Sequence, residues 1–207
     1  VVAIDGGDNH SLALKSDGTV VAWGYLENGL VLDRWDIVRL AAGYTHTVAL
    51  RTNGTVIAWG DNGWGQCDVP SGLNDVVSIA AGMGNSLALR ANGTLVAWGY
   101  GDDGQNDVPP GLRDLIAISA GAHHTLALKA NGTVLAWGNE SGQCNVPEDL
   151  TDVVAIAAGE WHSLALKSDG NVVAWGPNYA GECDIPEDLT DVIAISADGM
   201  RSLALKS

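Results

Sequence analysis

The chain has 207 residues, 27 of them Gly and none Phe, and its 10 Lys and Arg against 25 Asp and Glu give a formal net charge of -15. That balance excludes unassisted binding to nucleic acid or an anionic membrane, which needs clustered Lys and Arg, and favours a protein partner with a basic or neutral surface. No apolar run approaches the ~18 residues of a membrane span, and three Cys, an odd number, exclude a complete internal disulfide framework.

The predicted elements follow a period. Thr19-Val20-Val21-Ala22-Trp23-Gly24 returns as Thr55–Gly60, Thr94–Gly99, Thr133–Gly138 and Asn171–Gly176. The alternation is that of a strand, with Val21 and Trp23 on one side and Val20 and Ala22 on the other. One repeat reads as four strands. Strand a is Val-x-x-Ile followed by Ala-Gly, as in Val76 to Gly82; strand b is His-Ser-Leu-Ala-Leu-Lys, as in His162 to Lys167; strand c is the Trp-Gly strand; strand d is Gly-Gln-Cys-Asp-Val-Pro, as in Gly65 to Pro70. The repeats run 1–36, 37–75, 76–114, 115–152 and 153–191, with a half repeat at 192–207 that holds strands a and b alone. About 22 short strands are expected, with no segment that sustains a 3.6-residue period. Asp17-Gly18, Asn53-Gly54, Asn92-Gly93, Asn131-Gly132 and Asp169-Gly170 mark the b–c hairpins, for which a type I′ turn is expected. Val-Pro followed by Leu-x-Asp joins strand d to the next strand a.

Four-stranded antiparallel units of about 40 residues fit an all-β fold, a β-propeller of about six blades forming one domain over residues 1–207. A solenoid is the structural alternative. The chain opens on Val, from which a processed form, an excised domain or an artificial piece is expected.

Consecutive antiparallel strands turn at alternating ends, so the a–b and c–d tips share one face. The b–c turns are nearly uniform, whereas the tips vary. All four Tyr, both Met and two Trp outside the repeat register fall in the tips. Tyr25, Tyr44, Trp64, Met83, Tyr100, His123, Trp161, Tyr179 and Met200 are the candidate protein-binding residues, since Tyr, Trp and Met on an exposed rim have the composition of an interface. The same face carries Asp8, Glu27, Asp61, Asp102, Asp103, Glu140, Glu160 and Asp198 against Arg201, which would steer a basic partner toward it.

Catalytic and metal chemistry find less support. His10, His46, His124 and His162 stand beside Ser or Thr, but strand neighbours point to opposite faces and form no dyad. A structural role, each His bonding neighbouring backbone, is expected. Cys67, Cys144 and Cys183 share one repeat position without Cys-x-x-Cys spacing, so neither metal nor cofactor is expected.

The pattern Ala-Gly-x-x-His-Ser-Leu-Ala-Leu-Lys, Asp-Gly-Thr-Val, Ala-Trp-Gly, then Gly-Gln resembles the regulator of chromosome condensation repeat family. The continuations Gln66-Cys67-Asp68-Val69-Pro70 and Gln143-Cys144-Asn145-Val146-Pro147 are similar to a bacterial branch that contains the β-lactamase inhibitory protein II. The resemblance implies a propeller that binds enzymes through loops on one face, and a secreted or cell-surface bacterial protein. A non-catalytic binding module, in the form of an enzyme inhibitor, is therefore the first reading. The alternatives are a structural module that self-associates as a homo-oligomer through its incomplete blade, and a nucleotide-exchange factor for a small GTPase.

Overall fold

The computed structural model describes residues 1–24 and 36–207. Among these residues are 17 strands and no helix, arranged as six antiparallel sheets. Sheet 1 is β1 (Ala3–Gly6), β2 (His10–Leu14) and β3 (Val20–Gly24). Sheet 2 is β4 (Ile37–Ala42), β5 (His46–Arg51) and β6 (Val56–Gly60). Sheet 3 is β7 (Val76–Ala81), β8 (Asn85–Arg90) and β9 (Leu95–Gly99). These three sheets form one compact unit, Val1–Gly101. A second unit, Asp102–Ser207, holds sheets 4 to 6. Sheet 4 is β10 (Leu115–Ala120), β11 (His124–Lys129) and β12 (Val134–Gly138). Sheet 5 is β13 (Val153–Ala158), β14 (Ser163–Lys167) and β15 (Val172–Trp175). Sheet 6 is β16 (Val192–Asp198) with β17 (Arg201–Lys206).

Sheets 1 to 5 are meanders in which the central strand pairs on both sides, as β5 does through His46 with Gly60 and through Thr47 with Ala42. The Leu-Ala-Leu of the central strand reflects sheet stacking. In the second unit, Leu126 and Leu128 of β11 pack against Ala165 of β14, together with Val153 and Ala158. In the first unit, Leu12 and Leu14 meet Ala49, and Val48 and Leu50 meet Ala88. Large residues of one sheet thus face the small residue of the next, the complementarity that close packing requires.

Two expectations need correction. The Gly-Gln-Cys-Asp segment is a turn rather than a fourth strand, so sheets 2 to 5 have three strands each. The Asp68 amide donates to the Gly65 carbonyl at 3.0 Å, with Gly65 at φ +76°, and the same turn recurs at Gly181 and Asp184. Local hydrogen bonds consume the backbone groups that a fourth strand would offer to the sheet. The b–c hairpins are also not of type I′, because only the Gly takes positive φ (Gly54, +77°). The Gly54 amide donates to Arg51 O and the Arg51 amide to Thr55 O, which is a three-residue loop with a left-handed Gly. Asn53 is selected by its side chain instead: Oδ1 accepts the Thr55 amide at 3.0 Å and the Thr55 hydroxyl at 2.7 Å. Asp17, Asn92, Asn131 and Asp169 do the same for the amide two residues on.

The Leu-x-Asp connection ends on a left-handed Asp. Asp75, Asp114, Asp152 and Asp191 all lie at φ between 56° and 61°, a region that Asp tolerates better than branched residues.

Candidate binding loops

The strand register places the a–b and c–d tips of each sheet at the same end, and hydrogen bonds tie them together. The Asp61 amide donates to Thr45 O at 3.0 Å, Tyr100 N to Gly84 O at 2.8 Å, and Asn139 N to His123 O at 2.8 Å. Tips of neighbouring sheets are joined as well. Tyr44 N reaches Gly82 O at 3.1 Å in the first unit, and Glu160 N reaches Gly199 O at 2.8 Å in the second. Within each unit the variable loops therefore form one connected surface.

In the first unit that surface centres on Trp64. Its loop is locked from within: Asp61 Oδ1 accepts the Gly63 amide, Gln66 Oε1 accepts the Trp64 amide at 2.9 Å, and Gln66 Nε2 donates to Asp61 Oδ2 at 3.0 Å. Gln66 is fully buried, yet Trp64 stays 51% exposed. The indole lies over Gly84, where any Cβ would come within 2.5 Å of Trp64 Cε3. Tyr100 completes the patch, its ring centroid 5.4 Å from that of Trp64 and tilted by 51°. Tyr44 and Met83 sit half-buried in the adjoining a–b tips. Tyr25 lies outside the described residues.

In the second unit His123 stacks on Trp161, with centroids 4.1 Å apart and planes 25° from parallel. His123 Nδ1 lies 2.7 Å from Asp103 Oδ2, and Asn139 Nδ2 donates to the other oxygen of that carboxylate at 3.5 Å. Tyr179 and Met200 stand out further, at 74% and 44% exposure. The Tyr179 loop is fixed by Glu182, whose two carboxylate oxygens accept the Tyr179 and Ala180 amides at 3.1 and 2.6 Å. Burial raises the Glu182 carboxyl, but these amide bonds and the His162 imidazole outweigh it and leave the group below its ordinary value. Sequence reasoning placed Asp103 on this face only as a charge and did not single out Asn139 or the buried Gln66 as positioning residues; the recurrence of Gln66, Gln105 and Gln143 was the signal for the Gln.

The register histidines bond one sheet ahead, not to neighbouring backbone. His46 Nε2 meets Ser86 Oγ at 3.0 Å, His124 meets Ser163 at 2.9 Å, and His162 meets Ser202 at 2.9 Å. Each hydroxyl donates onward to a carbonyl, those of Gln66, Gln143 and Glu182 respectively. The imidazole Nε2 is therefore the donor toward the hydroxyl oxygen. A serine whose proton is committed to a carbonyl, at a fully buried position such as Ser86, is no nucleophile. Burial, with His10 adding to it, holds His46 down at about 4, and burial holds His124 at about 3. The imidazoles are neutral struts between sheets.

The three Cys are free and half-buried, and each Sγ contacts a backbone carbonyl, as Cys67 does with Asp61 O at 3.2 Å. Burial, aided by Asp61 and Asp68, pushes Cys67 up to about 11. Among the described residues no group of three or more His, Cys, Asp or Glu converges as metal ligands do.

The family model for the regulator of chromosome condensation (RCC1) repeat matches at residues 1–29, 37–66, 76–105, 115–143 and 153–182. A sequence comparison with curated proteins finds no match. Among solved structures, Prp20p of Saccharomyces cerevisiae, described for its binding to Gsp1p and histones, superposes with a TM-score of 0.84 at 24% identity, covering 99% of this chain and 68% of that one. The same yeast protein bound by Kap60 gives 0.83 at 23% identity, with 100% and 66% covered. Human WBSCR16 gives 0.78 at 19% identity, with 99% and 71% covered. The chain thus spans about two thirds of the length of these neighbours, which share its fold. The six sheets are blades of a β-propeller, and the chain belongs to the RCC1 repeat family.

Proposed function

We propose that residues 1–207, as one domain, act as a non-catalytic protein-binding propeller whose a–b and c–d loops hold the partner. The observation that carries this reading is Trp64, half exposed on a loop locked by the buried Gln66 and seated on a glycine that admits no side chain. A rigid, exposed aromatic loses little entropy on binding, which is why such residues dominate interface energetics. The His123–Trp161 stack supplies a second anchor of the same kind. A net charge of -15 suits a partner with a basic or neutral surface, and Prp20p, a neighbour in fold, binds Gsp1p and histones. An enzyme blocked at this rim is the finer form of the reading, drawn from the resemblance to the bacterial branch. Exchange-factor activity is the alternative drawn from the yeast neighbour, and a nucleotide-release screen on small GTPases separates the two.

The test replaces Trp64, Trp161 and Tyr44 together by Ala. Capture of partners from a native extract should fall by about tenfold or more while the circular dichroism stays unchanged. Undiminished capture by the folded variant overturns the proposal.

A further inference from the structure

At two places in the c–d tips, the side chain two residues before the buried Gln bridges to the sheet that follows. Between sheets 2 and 3 it is Trp64, ahead of Gln66, whose indole lies over Gly84 and against Tyr100. In the second unit it is Asp103, ahead of Gln105, which meets His123 Nδ1 at 2.7 Å and Asn139 Nδ2 at 3.5 Å on the tips of sheet 4. Between sheets 4 and 5 the position falls to Ser141, ahead of Gln143. Its short side chain makes no such bridge, and the hydroxyl turns back to donate to Asn139 Oδ1 at 2.6 Å. Trp161, which precedes His162 as Gly84 precedes Asn85, stacks on His123 instead.

The sheet 4 tip is also one residue shorter. Three residues separate Gly138 from Gly142, where four separate Gly60 from Gly65, Gly99 from Gly104 and Gly176 from Gly181. In the longer tips the amide two residues before the buried side chain donates to it: Trp64 to Gln66 Oε1 at 2.9 Å, Asp103 to Gln105 Oε1 at 3.1 Å and Ala180 to Glu182 Oε2 at 2.6 Å. The Ser141 amide donates to Asn139 Oδ1 at 3.0 Å instead, and the fully buried Gln143 carboxamide has no partner among the described residues. The short tip is thus drawn in on itself. Beside it stands a cleft of about 480 Å³, walled by Ser141, Asn145, Trp175, Pro177 and Tyr179.

We propose that this cleft receives a Trp or Tyr side chain of the protein partner, in the role that Trp64 fills within the chain between sheets 2 and 3. The inference rests on the loop-face reading of function and names what that face captures. The cleft has the size of a binding pocket, for which about 300–1,000 Å³ is usual. Pro177 stands where Tyr100 does, as the first residue after the Trp-Gly strand, and Tyr179 is largely exposed. Both offer an apolar face to an incoming ring. Ser141 Oγ has committed its proton to Asn139, which leaves it an acceptor for an indole N–H or a phenol O–H. Trp and Tyr seated in such pockets carry much of the energy of protein interfaces.

The experiment titrates the full chain with N-acetyl-tryptophanamide and follows amide correlation NMR spectra. Saturable shifts are expected at the amides of Ser141, Gly142 and Gly176 and at the Trp175 indole, with N-acetyl-leucinamide binding at least about tenfold more weakly. Tyr179→Ala, with unchanged circular dichroism, should weaken binding of the probe about tenfold. Ser141→Trp should supply the ring within the chain, blocking the probe and lowering partner capture together. Equal shifts with both probes overturn the proposal, as do absent shifts at these amides or an undiminished affinity in folded Tyr179→Ala. So do shifts at the same amides when the protein alone is concentrated, because a second copy then fills the cleft. Partner capture that persists in the Trp64, Trp161 and Tyr44 variant overturns the loop-face reading whatever the probe does, so the two failures are told apart.

Discussion

β14 and β17 carry the same five residues, Ser-Leu-Ala-Leu-Lys, at 163–167 and at 202–206. In β14, Leu164 and Leu166 are 1% and 4% exposed; in β17, Leu203 and Leu205 are 68% and 60% exposed. The local sequence fixes the strand and its register in both places. Burial comes from a neighbouring sheet, which β14 has in sheet 6 and β17 lacks among the described residues. Stability in such a repeat fold is a sum of nearest-neighbour interfaces, and identical side chains contribute unequally.

The largest test of this contrast is a pair of truncations. Leu164→Ala should cost about 2–5 kcal/mol in urea unfolding, the range for buried Leu, whereas Leu203→Ala should stay within about 0.5 kcal/mol. Similar losses at both positions would mean that sheet 6 is covered in solution.

The next effect is a pH dependence. His46 is held at about 4 in the fold and takes an ordinary value near 6.5 when unfolded. Above pH 6.5 both states are neutral at this ring. As pH falls below 6.5 the unfolded chain gains a proton that the folded chain refuses, so stability declines until about pH 4 and then levels. At 1.36 kcal/mol per unit, His46 accounts for roughly 3 kcal/mol of that loss. His46→Asn should remove this share of the slope in unfolding measured between pH 7 and 4. Sheet 6 has Arg201 at the equivalent position and so no imidazole there.

The smallest effect concerns the glycine beside each imidazole. A Cβ at Gly121 would lie 2.5 Å from both His124 Cε1 and Gly159 O. In sheet 6 the matching residue is Asp198, which is exposed. Gly121→Ala should therefore cost about 1–3 kcal/mol by overpacking, and Asp198→Ala should leave the unfolding midpoint almost unchanged.

Much of this was legible in the sequence because the fold repeats. The Trp-Gly period located the strands, and comparison among copies separated the uniform turns from the variable tips that hold Trp64, Trp161 and Tyr179. What escaped were interactions that cross from one copy to the next. Nothing near His46 in sequence announces Ser86, and nothing near His123 announces Trp161. The fourth strand was misread for a local reason: Val69-Pro70 looks extended, but the preceding Gly65–Asp68 turn takes the backbone bonds for itself. The hairpin type was misread because Asn53 is chosen for its side-chain oxygen rather than for a left-handed backbone.

The forward reach of the histidines bears on how the chain matures as it is made. Each imidazole finds its hydroxyl about one repeat downstream, as His124 does at Ser163. A blade that carries such a histidine is thus incomplete on leaving the ribosome until the following one has emerged, because the ring that will be sealed between them still faces water. Assembly from the amino end is then a relay within each unit, in which sheet 2 finishes sheet 1 and sheet 3 finishes sheet 2, and in which sheet 5 finishes sheet 4 and sheet 6 finishes sheet 5.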